Sequence, residues 1–309
     1  MATARGCIAG ACAYGAWVAL TDSAKRQVDH WGPDWVVRLL QLGGAAVMNA
    51  LGVRWAHALD DARGVAAVQS GRAGGIGAVS PHGPYATCAI LFGMPFFRLE
   101  ETRRGGIRVR SGGASVLFWV PGLREVLLLY GVREATPATI ARLVRAGCVV
   151  ALNPGGLREQ IATDSAQEQV FANRRLGFLR LALEHRCAVV PMYGFGENQV
   201  YTAHPARLRA LRAALVRRLR VGLVVVSGRW GLSAGVLPLL PNPTRVTHVV
   251  GRAVDVGGAA RAPGAPVTNA ELEEAYRRYK EELARVFEKH KHELLPPEVA
   301  ARGLLFHRL

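Results

Sequence analysis

Downstream of about residue 64, short apolar runs alternate with stretches whose apolar side chains recur every three or four residues, the pattern of strands alternating with helices. The run Ile76-Gly77-Ala78-Val79 reads as a strand broken at Ser80-Pro81, because proline lacks an amide hydrogen and keeps the residue before it extended. Tyr85 to Phe97 is apolar enough for a core or membrane-facing helix, and Pro121-Gly122 opens a helix-like stretch from Leu123 to Gly131. Thr136 caps a further helix with Pro137 at its first position, Ile140, Leu143 and Val144 on one face, and Gly147 as its stop. A second strand, Cys148 to Leu152, runs into Asn153-Pro154-Gly155-Gly156. Residues 174 to 185 read as a helix, and a third strand, Cys187 to Tyr193, leaves through Gly194-Phe195-Gly196-Glu197-Asn198. Val221 to Ser227 and Val246 to Val250 are two more strand candidates, and residues 257 to 267 form a Gly/Ala/Pro linker. The capping box Thr268-Asn269-Ala270-Glu271 opens a long helix. Its stripe of Leu272, Tyr276, Tyr279, Leu283, Val286 and Phe287 faces a core, with His290 as the stripe's edge; Pro296-Pro297 introduces a loosely held tail. The fold class is α/β, a mixed β-sheet flanked by helices. The chain divides into an apolar segment over 1–60, the main domain over 61–295 and the tail over 296–309.

The N-terminal segment has a different pattern. Residues 7 to 20 carry no charge, but as a helix they measure about 21 Å against a hydrocarbon core of about 30 Å, so they can dip into a bilayer and hardly cross it. The single Arg5 is a thin basic region for a signal peptide. Trp35 to Trp55 is apolar but interrupted by Arg38, Gln41, Asn49 and Arg54, and fits a membrane-seated or a buried helix equally. Together the two could form a shallow, membrane-associated hairpin. Residues 205 to 220 place Leu208, Leu211, Leu215 and Leu219 on one helical face among six arginines, for an anionic membrane surface or for packing on the sheet.

The chain has 309 residues and a formal net charge of +16, almost all from arginine, since lysine occurs only at positions 25, 280, 289 and 291. Such a surplus suits phosphate-bearing partners: anionic lipid headgroups or a nucleotide-containing substrate. No arginine cluster is interleaved with aromatics, and no zinc-finger or RNA-binding signature is present, so nucleic acid is not an expected partner. The five cysteines have no Cys-x-x-Cys or Cys/His ligand spacing, so no metal is expected, and a reduced, cytosol-facing chain is the simplest reading. Cys148 and Cys187 begin apolar runs and read as core. The glycine-dense Gly71 to Gly77 precedes its strand where a dinucleotide cradle would follow one.

Candidate chemistry gathers at strand exits, where open α/β sheets place reactive groups. His82 follows the first strand, Glu159 follows the second, and Glu197 with Asn198 follows the third. A neutral imidazole, with its pKa near ~6.5, can take a proton from a hydroxyl at cellular pH. The plainer account is a turn histidine bonded to nearby carbonyls. Three successive exits carrying polar groups are harder to assign to packing alone.

These motifs carry a resemblance. Ser80-Pro81-His82-Gly83, Pro121-Gly122-Leu123-Arg124-Glu125, Asn153-Pro154-Gly155-Gly156-Leu157-Arg158-Glu159, Asn173-Arg174-Arg175-Leu176-Gly177-Phe178, Val190-Pro191-Met192-Tyr193-Gly194-Phe195-Gly196-Glu197-Asn198 and Phe287-Glu288-Lys289-His290-Lys291 occur in that order. Over about residues 75 to 292 the chain resembles the type-2 diacylglycerol acyltransferase family, which is distantly akin to glycerolipid acyltransferases with a His-x4-Asp pair. The resemblance implies an acyl chain moved from acyl-CoA, a substrate and not a cofactor, to the hydroxyl of diacylglycerol to form triacylglycerol. It implies work at the endoplasmic reticulum membrane or lipid-droplet surface, with the catalytic part facing the cytosol. Sister activities on monoacylglycerol or a fatty alcohol, and an inactive lipid-binding relative, remain alternatives, and association into a homo-oligomer is left open. Ser80 departs from the residues usual before Pro-His-Gly, and Thr87 stands where the acid of a His-x4-Asp pair would fall.

In this reading His82 is the general base, and Glu159 either holds its other ring nitrogen or binds the acceptor's hydroxyls. Gly155 and Gly156, with Gly83, let the backbone approach the thioester and point amides at the developing oxyanion. Glu197 and Asn198 support that shell. Arg174, Arg175 and Arg180 either meet the CoA phosphates or form a solvated helix face. No Gly-x-Ser-x-Gly elbow surrounds any serine, so a serine hydrolase is not supported.

Overall fold

The computed structural model describes residues 13–18, 20, 23–60, 74–104, 107–172, 176–219, 222–231, 240–258, 261–262 and 264–308. Helix α1 (Asp34–Ala50) leads into β1 (Val53–Leu59), so the apolar stretch from Trp35 to Trp55 divides between a helix and a strand. After β2 (Gly75–Ser80) a π-helical turn (Ala89–Gly93) runs into α2 (Met94–Arg104). Then come β3 (Val109–Gly113), α3 (Leu123–Leu129), β4 (Val132–Glu134), α4 (Pro137–Arg145) and β5 (Val149–Leu152). They are followed by α5 (Gly156–Ala162), β6 (Glu168–Ala172), α6 (Gly177–Glu184) and β7 (Val189–Phe195). The remainder is β8 (Thr202–Ala203), α7 (Arg209–Leu219), β9 (Val226–Ser227), β10 (Thr244–Val250), α8 (Asn269–Leu294), α9 (Pro297–Arg302) and β11 (Leu304–Arg308).

The main sheet has the order β1-β10-β7-β2-β5-β3-β4. Its pairs are parallel except β10 with β7, so the sheet is mixed and flanked by helices as the alternating pattern implies. Alternation along β2 divides the two faces: Ile76 and Ala78 join the larger core with α4, α6 and α8, while Val79 faces α2. Thr136 accepts the Thr139 amide at the start of α4, and Thr268 and Glu271 close the capping box of α8.

Several expectations need correction. The tail is ordered: β11 pairs in parallel with β6, and His307 stacks on Phe171 at 4.6 Å. His290 is more than an edge residue, because its Nε2 lies 2.8 Å from Asp60, whose side chain is fully buried and also receives Arg285 and Lys289. Since β1 lies in the main sheet, the sheet crosses the expected boundary at residue 60. Helix α7 turns its polarity over: Leu208 and Leu211 are exposed, and Arg212 is buried, donating to the carbonyls of Leu223, Pro205 and Ile161. Of Val221 to Ser227 only Val226–Ser227 forms a strand, and Val221 lies outside the described residues. Residues 7–12 and 71–73 also lie outside them, whereas 13–18 are helical.

Buried arginine recurs. Arg110 donates to the Val28 carbonyl and pairs with Glu101, and Arg133 donates to the carbonyls of Gln27 and Asp29, strapping residues 27–29 to the sheet. Burial pulls Arg133 down to about 9. Part of the large positive count therefore acts inside the protein as hydrogen-bond donors.

Candidate active site

The cis Ser80–Pro81 peptide ends β2 and delivers His82. Ser80 is fully buried on the core face beside Tyr279 of α8, so the residue that departs from the usual pattern lies outside the groove lining. The ring Nδ1 of His82 lies 3.0 Å from the Gly83 carbonyl. A carbonyl only accepts, so in the neutral ring Nδ1 carries the hydrogen and Nε2 is left with the lone pair. Burial pushes the pKa of His82 below its ordinary value, against the Gly83 contact and the nearby Glu197 charge, which raise it. The ring is thus neutral and basic at Nε2 near neutral pH. It lines a groove of about 700 Å³ with Gly112, Asn153, Gly156, Phe178 and Arg180.

Gly83 is glycine for two reasons. Its φ is +66°, and an added Cβ would stand 2.7 Å from Glu197 Cγ. Glu197 is buried behind the His82 loop, accepts the Cys88 amide at 3.2 Å, and lies outside the groove lining. It supplies negative charge near His82 from behind, where Thr87 offers none. Asn198 reaches neither the groove nor local backbone: it donates to Glu168 at 2.9 Å. Glu168 also accepts the Tyr193 hydroxyl at 2.6 Å and Gln199 at 2.9 Å, which ties the turn after β7 to β6.

Glu159 meets His82 by a different route from the one expected. Its Oε1 accepts the His82 main-chain amide at 2.6 Å and its Oε2 accepts the Phe171 amide at 3.2 Å, so it holds the backbone of the loop and not the ring. Glu159 is buried and lies outside the groove lining. The neighbouring Gln160, which sequence spacing did not single out, donates to the Pro84 carbonyl at 2.8 Å and fixes the loop's other side. Gly155 is glycine because a Cβ there would meet the Glu159 carboxylate, and Gly156 because its φ is +51°. The Gly156 amide donates to the Asn153 carbonyl at 3.1 Å, so it is engaged in the turn and not free for an oxyanion. Arg180 lines the groove; Arg174 and Arg175 lie outside the described residues. Cys148 and Cys187 are buried and unpaired, as core residues should be. Among the described residues no group of three His, Cys, Asp or Glu side chains could hold a metal ion.

Burial pushes Glu159 up to about 8 from an ordinary 4.5, against the two amides that favour its anion. The folded state then holds a proton that the unfolded chain releases, so this contribution is complete below about pH 4.5 and is lost as pH rises through about 8. Thermal unfolding of wild type and Glu159→Gln, compared from pH 5 to 9, should show the wild type losing more stability across that span. Parallel curves would contradict a raised Glu159. At any pH the glutamine amide would oppose a main-chain N–H, lowering stability by about 1–3 kcal/mol.

A sequence model described as diacylglycerol acyltransferase matches residues 70–300. Diacylglycerol O-acyltransferase 2 of Dictyostelium discoideum is 26% identical over 224 residues, covering 69% of this chain and 65% of that protein. Diacylglycerol O-acyltransferase 2-like protein 6 of Mus musculus is 29% identical over 57% of this chain and 54% of its own length. 2-Acylglycerol O-acyltransferase 1 of Homo sapiens is 27% identical over 59% of this chain and 54% of its own. The matches span between about half and two thirds of these relatives. No solved structure matches.

Proposed function

We propose a function from one premise: this chain belongs to the diacylglycerol acyltransferase family. It is an O-acyltransferase that moves a fatty acyl chain from acyl-CoA to the free hydroxyl of diacylglycerol. The observation that carries the reading is the Nδ1 contact with Gly83, which leaves His82 Nε2 as a base on the groove. Nε2 takes the hydroxyl proton as the oxygen attacks the thioester carbonyl; the C–S bond breaks, and the departing thiolate recovers that proton from the imidazolium. The Gly83 carbonyl and the Glu197 charge favour the imidazolium while it exists. Arg180 lines the groove wall, and its guanidinium fork suits a CoA phosphate. The His82 loop and mixed sheet support a glycerolipid-acyltransferase-like fold.

Because a relative named for 2-acylglycerol transfer matches as well as those named for diacylglycerol, monoacylglycerol is the second acceptor to test. Purified chain incubated with radiolabelled oleoyl-CoA and either dioleoylglycerol or 2-oleoylglycerol should give labelled triacylglycerol from the first. Product from the second alone would reassign the acceptor, and product from neither would refute the enzyme.

The outer side of α1 supports a membrane or lipid-droplet surface as the working place. Its inner positions Val37, Ala45 and Met48 pack on the protein, while Trp35, Leu39, Leu42 and Val47 on its outer side are exposed, Trp35 by 68%. No helix among the described residues is long and apolar enough to cross a membrane. An apolar outer face on a basic chain fits a helix lying in the headgroup plane of an anionic bilayer. Leu39→Asp with Leu42→Asp should reduce flotation with phosphatidylserine vesicles at least ~10-fold while leaving the circular dichroism unchanged. Undiminished flotation would remove α1 as the docking element.

A further inference from the structure

A second space lies on the opposite side of the active-site loop. An apolar cavity of about 100 Å³ runs beneath the π turn and α2. Its sheet side takes one or more residues from each of β1, β10, β7, β2, β5 and β3, so it crosses the strands at right angles. Five inter-strand spacings of about 4.8 Å give it a length of roughly 24 Å. A bilayer's hydrocarbon core is roughly 30 Å across two leaflets, so one fatty chain needs roughly 15 Å or more. The trough is long enough for a single long chain.

Small side chains leave this space open. Ala151 lines the sheet side, and Ala89 and Gly93, one turn apart, line the covering helix; Gly112 borders the space with its backbone, since a Cβ there would point to the other face, toward Leu152 and Ala135. The π turn at Ala89–Gly93 widens that cover, and such turns are frequent at functional sites. One end adjoins the His82 groove, since Gly112 and Asn153 line both. The other end is closed by Leu59, Val250 and His248. The His248 ring is held there by the Trp55 indole, whose Nε1 donates to its Nδ1 at 3.3 Å, and a Cβ added at Gly194 would come within 2.9 Å of it.

We propose that this transverse trough holds the fatty acyl chain of the thioester donor, with the thioester at Gly112 and Asn153 beside His82 and the methyl end running past His248 toward Leu59. The proposal rests on the acyl-transfer reading and assigns its donor subsite: distance along the trough from Asn153 sets the longest chain accepted. A filler near the far end should exclude long chains only, whereas a filler near the mouth should exclude short ones too.

The test uses full chain and non-reactive thioether analogues of octanoyl-CoA and stearoyl-CoA, with binding measured by calorimetry. Val250→Phe fills the far end from the sheet, and Gly93→Val fills it from the helix, so the two together guard against one variant that fails to fold. Each should weaken the stearoyl analogue ~10- to 100-fold and leave the octanoyl analogue within about twofold. Ala151→Phe should weaken both. Equal weakening of both analogues in every variant, or no preference for the longer chain in wild type, would overturn the proposal. A raised KM for dioleoylglycerol with unchanged analogue binding would give the trough to the acceptor and overturn the donor assignment. Chain-length-dependent binding without transfer to any acceptor would sink the enzymatic reading while the trough stood as a fatty-chain site.

Discussion

His82→Ala is expected to lower acyl transfer by ~10²- to 10⁴-fold, the usual contribution of a positioned base, with acyl-CoA binding and unfolding temperature little changed. The imidazole is partly open to the groove, and its Nδ1 contact is to the adjacent Gly83 carbonyl, so its removal leaves no distant partner unsatisfied. The loop is kept in place by its backbone: Glu159 holds the His82 amide and Gln160 the Pro84 carbonyl, and neither bond involves the ring. A loss of transfer with intact binding separates chemistry from folding. Full activity in this variant would remove His82 as the base.

Glu168→Ala is expected to have the largest effect on stability. The carboxyl is fully buried and receives the Tyr193 hydroxyl, the Asn198 amide and the Gln199 amide. Gln199 keeps a second partner in the Ser165 carbonyl, but Tyr193 and Asn198 would each be left buried without theirs. An unsatisfied buried donor costs about 1–3 kcal/mol, so the two together lower stability by roughly 2–6 kcal/mol before any cavity term. Burial raises the pKa of Glu168 against these three donors. Glu168→Gln should recover part of the loss by keeping one acceptor oxygen. Urea unfolding of the three proteins reads this directly, and equal midpoints would mean that the turn after β7 is held by something else.

The alternating pattern was enough to reveal the sheet, because proline and glycine end β2, β5 and β7 sharply and each exit has its polar residue beside the break. His82 was legible for that reason. What Glu159 touches was not: its place after the second strand puts it at the same end of the sheet as the loop, but choosing between a ring nitrogen and a backbone amide needs coordinates. The role expected of Gly156 failed on the same point, since a glycine turn can spend its amide on its own carbonyl. β11 was missed because a parallel partner far away in sequence leaves no local mark on an edge strand. Arg110, Arg133 and Arg212 counted as surface charge although backbone carbonyls enclose them. The trough is assembled from six strands and a covering helix, and no contiguous segment carries its outline.

The most direct test of the account is the pH profile of kcat/KM for acyl-CoA in the presence of diacylglycerol. The profile should be level around neutral pH and fall on the acid side with a midpoint below the ordinary histidine value of 6.5, as His82 takes up a proton at Nε2. An acid limb centred above that value, or no acid limb at all, would contradict a half-buried, neutral His82 acting as the base.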